Sequence, residues 1–100
     1  MARGKKSINK LGNKVVLGLL RQVRLDAGLS QADLGKLLGR PQTYVSDVEI
    51  AERRADVLQV VEWCRACDIS FLTFARRLEQ GLAALQFAHA KRSRRTRRNA

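Results

Sequence analysis

Gln42, Thr43, Ser46 and Asp47 are the side chains of this chain best placed by type and spacing to do chemistry. On a helix, side chains four apart lie on one face, so 42 and 46, and 43 and 47, line up together. Val45 and Val48 point the other way, three apart. Short polar groups near the start of such a helix suit hydrogen bonding to base edges in a DNA major groove. That is recognition chemistry. Cys64 and Cys67 form the other eye-catching pair, but one Cys-x-x-Cys supplies half of a four-ligand zinc site. His89 is the sole histidine, so a Cys₂His site lacks its fourth ligand. Both cysteines fall on the apolar stripe of a predicted helix and read as small core residues. No catalytic constellation, metal or other cofactor is expected, and the chain is not expected to be an enzyme.

Two short helices around a tight turn would position the polar face. Ser30 can cap the first, because its hydroxyl accepts from an otherwise unpaired backbone N–H. Residues 31–38 then place Leu34 and Leu38 on one face. Gly39 suits a left-handed turn, and Pro41 restarts a helix with φ already set. Before this pair, a helix over about 14–27 turns Val16, Leu20, Val23 and Ala27 inward and stops at Gly28. After it, residues 50–55 lead to Asp56, an N-cap for a fourth helix. Its apolar stripe is Val57, Val60, Val61, Cys64 and Cys67, with Trp63 beside it as a core or rim residue. Ser70 caps a fifth helix reaching about residue 90, whose apolar residues include Phe71, Phe74, Ala75, Leu78, Leu82 and Leu85. In it Ala75, Leu78, Leu82 and Leu85 take the alternating step of a coiled-coil seam. Beyond Leu78 that face is expected to need a partner chain.

Charge divides the chain further. The net charge is +11, yet residues 15–90 hold nine basic and nine acidic residues and are formally neutral. Residues 1–14 carry five basic groups and no acid, and residues 91–100 carry six and no acid. The expected organisation is a mobile basic arm over 1–13, a helix-turn-helix domain over 14–78, a helical extension over 79–90 and a basic tail over 91–100. Lys5, Lys6 and Lys10 represent the first arm; Lys91, Arg92, Arg94, Arg95, Arg97 and Arg98 the second. Basic arms on a neutral domain favour a polyanion, through counterion release. The tail could track DNA phosphates, bind RNA or act as a localisation signal. Neither arm is an amphipathic membrane anchor. The apolar run 15–20 is too short for a signal peptide and runs into Arg21, so a cytoplasmic, nucleoid-associated protein is expected.

With these residues placed, the chain resembles the lambda-repressor-like DNA-binding domains of the Xre and Cro family over roughly residues 16–78. The matching elements are Leu20-Arg21-Gln22-Val23-Arg24, Ala27-Gly28-Leu29-Ser30-Gln31, Leu34, Leu38-Gly39, Val45-Ser46 and Glu49, followed by Glu52-Arg53-Arg54 and Ala66-Cys67-Asp68-Ile69-Ser70. The resemblance implies an all-α, five-helix domain that binds double-stranded DNA. It implies that Gln42 is the principal base reader, with Thr43, Ser46 and Asp47 facing the groove. Gln31 would hold a phosphate and buttress the recognition helix. Arg40, Tyr44, Arg53 and Arg54 would join it on the DNA backbone, although Arg53 and Arg54 could equally anchor the loop. Arg24 and Glu49 match a structural ion pair. Three residues depart from the family pattern: Asp47 where many relatives carry a basic or amide group, Ala51 for Gly, and Pro41 for a Ser or Thr cap. Asp47 has two readings, an acceptor for cytosine N4 and a solvated or capping group.

The expected function is a site-specific transcriptional regulator, a repressor, acting as a homodimer on a near-palindromic operator, with the C-terminal helix as a candidate dimer contact. Two alternatives belong to other classes. The chain could be an antitoxin whose 74–85 face covers a toxin, or a sequence-blind coating protein driven by its arms.

Overall fold

The structure, a computed structural model, describes the backbone of residues 2–50 and 54–94 and the side chains of residues 10–50 and 54–85. Five helices follow in order: α1 (Ala2–Asp26), α2 (Gln31–Leu38), α3 (Gln42–Ile50), α4 (Val57–Ala66) and α5 (Phe71–Arg94). No strand occurs among the described residues. The fold is all-α.

Local chemistry fixes the helix ends. Ser30 accepts from the Asp33 backbone N–H at 2.9 Å, and the Asp33 carboxylate accepts from the Ser30 N–H at 3.0 Å. This reciprocal box satisfies two donors that the first turn of α2 would otherwise leave unpaired. The same bonds hold the Asp33 carboxyl below its ordinary pKa. Asp56 and Gln59 build a second box at the start of α4, and Ser70 accepts from the Thr73 N–H at the start of α5. Gly39 closes α2 in the left-handed region at φ 69°.

The core gathers one face from every helix: Leu17, Leu20 and Val23 from α1, Leu34 from α2, Val45 from α3, Val60, Trp63 and Cys64 from α4, and Phe74 from α5. Trp63 is fully buried, and its indole N–H is not stranded there, donating to the Leu20 carbonyl at 2.9 Å. Gly35 permits a close approach of the turn to α2. A Cβ on it would lie 2.7 Å from the Arg40 carbonyl oxygen and 3.2 Å from the Pro41 carbonyl carbon. A side chain there would push the turn, and with it α3, away from α2.

Several expectations change. α1 starts at Ala2 rather than near residue 14, so residues 2–13 are helical. The lysines and glycines of this stretch read as mobility, but α1 gains packing along α5. Gly12 lies against Leu82, where a Cβ would stand 3.6 Å from a Leu82 methyl, and Gly81 lies beside Val15. The face of α5 beyond Leu78 is thus partly covered from within the chain. α5 itself reaches Arg94, where basic residues near a helix C-terminus are favoured by its dipole. Ala27 lies outside α1 and is exposed, while Leu17, absent from the expected inward face, is buried. Val57, in the first turn of α4, is 65% exposed, and Phe71 is exposed beside buried Phe74.

Cys64 and Cys67 are free and buried, and no metal-binding cluster occurs among the described residues. Burial pushes both thiols from an ordinary 9.0 up to about 11.

Gly35→Ala should lower stability by about 1–3 kcal/mol in urea denaturation, because backbone atoms cannot yield to the added methyl. Gly18→Ala, with open space around it, should instead raise stability by up to about 1 kcal/mol. The thiols give a pH signature. A folded-state pKa above the unfolded value contributes stability that is complete below pH 9 and is lost as pH rises through about 11. The urea midpoint should fall across that window, and a variant with both cysteines replaced by alanine should lack this component of the fall.

Candidate nucleic-acid interface

The turn between α2 and α3 brings the first residue of α2, Gln31, against the first residue of α3, Gln42. Gln42 Nε2 donates to Gln31 Oε1 at 2.8 Å. Gln31 Nε2 in turn donates to Glu49 Oε1 at 3.0 Å. Behind Glu49 stands Arg24, whose Nε donates to Glu49 Oε2 at 2.7 Å and whose Nη2 donates to Oε1 at 3.0 Å. The remaining arm of the guanidinium, Nη1, donates to the Leu29 carbonyl at 2.8 Å. The Arg24 and Glu49 side chains are 7% and 2% exposed. A buried bidentate pair of this kind keeps both charges only because each polar atom is used. The bond to Glu49 pushes the Arg24 pKa further above its ordinary value.

Charge at the buried end sets the direction of every bond outward. A carboxylate can only accept, so Gln31 must turn its amide nitrogen toward Glu49. That leaves the Gln31 oxygen facing Gln42, which must therefore donate. An amide that would ordinarily be free to flip has one orientation here. Gln42 is exposed, and one of its two N–H donors is spent on Gln31. Its other N–H and its carbonyl oxygen remain, the donor–acceptor pair that matches adenine N7 and N6.

Thr43 and Asp47 are exposed on α3 and Ser46 is half-buried. Arg40, in the turn, sets its guanidinium 4.7 Å from the centre of the Tyr44 ring, a cation–π contact. Tyr44 is half-buried, and its hydroxyl accepts from Gln59 Nε2 of α4 at 3.1 Å. Arg54 is exposed before α4, and Lys10 is exposed on α1. Lys5 and Lys6 of α1, and Lys91, Arg92 and Arg94 of α5, have described backbone only. Ala51, Glu52, Arg53, Arg95, Arg97 and Arg98 lie outside the described residues. Pro41 stands immediately before α3 and accepts from the Tyr44 N–H at 3.0 Å. Cys64, Cys67 and Trp63 belong to the core.

Gln59 and Gly35 were missed in the sequence. The Asp56-x-x-Gln59 spacing is a capping-box signal that marks Gln59 as fixed in place, although nothing in it points to Tyr44. Gly35 has no such signal, since the atoms it admits come from a turn whose path only the fold determines.

A family model described as a helix-turn-helix domain matches residues 17–70. Among solved structures, the chain is similar to an XRE-family-like protein from Pseudomonas syringae pv. tomato str. DC3000, with 36% identity, 77% of this chain and 94% of that chain covered, and a TM-score of 0.70. A point mutant of a restriction-modification controller protein shares the fold at 22% identity and a TM-score of 0.62, covering 72% of this chain and 95% of that one. The clp gene regulator ClgR from Corynebacterium glutamicum shares it at 20% identity and a TM-score of 0.65, covering 83% and 87%. No curated protein matches.

Replacing Arg24 with Met should cost about 3–5 kcal/mol in equilibrium unfolding, because Glu49 would be left buried without its cation. Adding Glu49→Leu to Arg24→Met should recover most of that loss, since an apolar pair of similar volume is often close to neutral.

Proposed function

The chain belongs to the lambda-repressor-like, XRE-type helix-turn-helix family, and on that premise we propose that it is a sequence-specific regulator of transcription that binds double-stranded DNA. α3 enters the major groove, and Gln42 reads a base with the N–H and carbonyl left after its bond to Gln31. The observation that carries this reading is the pre-set orientation of the Gln42 amide at the exposed start of α3. Thr43, Ser46 and Asp47 make the neighbouring base contacts, with Asp47 suited to cytosine N4. Gln31, Arg40, Tyr44, Arg53 and Arg54 meet the backbone, where contacts fix register without carrying sequence.

One short helix makes few base contacts. A homodimer supplies the rest, with two recognition helices about 34–36 Å apart on a near-palindromic operator. Repression follows by occlusion of a promoter. The basic groups at both ends add affinity without preference; six engaged tail charges would add about −5 to the slope of log affinity against log salt. The antitoxin alternative is weaker, because it needs a free face over residues 74–85. Phe74 is buried and Gly12 of α1 lies against Leu82.

Selection of bound sequences from a random duplex library at near-physiological salt should enrich an inverted repeat. Gln42→Ala should lose preference at one position of each half-site, worth about 1–3 kcal/mol. Removing residues 91–100 should weaken binding to all duplexes alike. No enrichment, with binding abolished by that truncation, would instead support a coating protein led by its arms.

A further inference from the structure

Tyr44 sits at the end of a second chain of hydrogen bonds with a fixed direction. It begins at the backbone N–H of Asp56, the N-cap of α4, which can only donate. Gln59 Oε1 accepts from it at 2.9 Å, while Asp56 Oδ1 accepts from the Leu58 N–H at 2.8 Å. The Gln59 amide is thereby oriented with its nitrogen outward, and Nε2 donates to the Tyr44 hydroxyl at 3.1 Å. A phenol oxygen that accepts on one side must aim its own proton elsewhere. Among the described residues no acceptor takes that proton. Arg40, exposed and stacked at 4.7 Å on the same ring, brings a cation and further N–H donors to the same place.

We infer that Gln59, which lies outside the helix-turn-helix itself, is a positioning residue for a DNA phosphate: by occupying the acceptor side of Tyr44 Oη it turns the hydroxyl proton toward a phosphate oxygen beside Arg40. The inference rests on the DNA-binding reading above. It places the start of α4 in control of a backbone contact made by α3. A phosphate oxygen is an acceptor only, so the contact requires the Tyr44 O–H to donate, and Gln59 permits no other arrangement.

Gln59→Glu tests this directly. A carboxylate still accepts from the Asp56 N–H, as in the common form of the capping box, so the melting temperature should hold. Toward Tyr44, however, a carboxylate can only accept, and the hydroxyl must turn inward. Affinity for duplex DNA should fall about tenfold, the scale of one hydrogen bond to a charged group. Tyr44→Phe should cost a similar factor. The two losses should not add: in the Tyr44→Phe background, Gln59→Glu should cost little further. An equal cost in both backgrounds would mean simple repulsion between the new carboxylate and DNA, and would overturn the inference. So would an unchanged affinity for Gln59→Glu, or for Tyr44→Phe. Phosphate contacts carry no sequence information, so a random duplex of fixed length serves for the measurement. Failure of this inference is then read separately from failure of base reading, which the library selection reports.

Discussion

The buried ion pair between Arg24 and Glu49 is the constraint on which the rest of the interface depends. Its charges are fixed, so its hydrogen bonds have one direction, and that direction passes outward through Gln31 to Gln42. Buried pairs of this type contribute little net stability relative to apolar residues of the same volume. What this one supplies is polarity. A surface glutamine normally spends rotamer entropy when it is ordered on a base, and two amide orientations compete. Here part of that ordering is done in the free protein, so under the proposed base reading less would be lost on binding.

Such a chain of bonds works only if three helices hold their spacing. Arg24 comes from the end of α1, Gln31 from the start of α2, and Gln42 and Glu49 from the two ends of α3. Gly35 lets the turn close directly over α2, and Gly39 reverses the chain there. Behind them, Leu34 and Val45 are wholly buried and lock α2 against α3. Trp63 fills the centre and ties α4 to the Leu20 carbonyl of α1. The core therefore fixes more than stability: it sets the spacing of α2 and α3 on which the 2.8 Å bond between Gln31 and Gln42 depends.

Much of this was legible in the sequence where a residue's role is local. Ser30, Gly39 and Asp56 announced helix ends through side-chain or backbone chemistry that needs no distant partner, and the structure places them there. Apolar spacing located Leu20, Val23, Leu34, Val45, Val60 and Phe74 in the core. Roles set by distant packing were less legible. α1 runs ahead of residue 14 with α5 beside Gly12 and Val15, whose neighbours Leu82 and Gly81 lie 70 and 66 residues away in the chain, where composition alone suggested mobility. Val57 and Phe71 fit their apolar stripes by spacing, yet each sits in the first turn of its helix and is exposed. Arg24 and Glu49 were paired by family resemblance. No spacing rule links residues 25 apart, and the continuation through Gln31 to Gln42 emerges only in three dimensions.

The central claim is that Gln42 is held ready before DNA arrives, and its side-chain amide in the free protein tests this most directly. ¹⁵N relaxation of that amide should give an order parameter near the rigid-backbone value of about 0.85 in the native chain, falling below about 0.6 in Gln31→Ala. Equal, low order in both proteins would contradict the account, for Gln42 would then be an ordinary mobile surface amide that the buried pair does not reach.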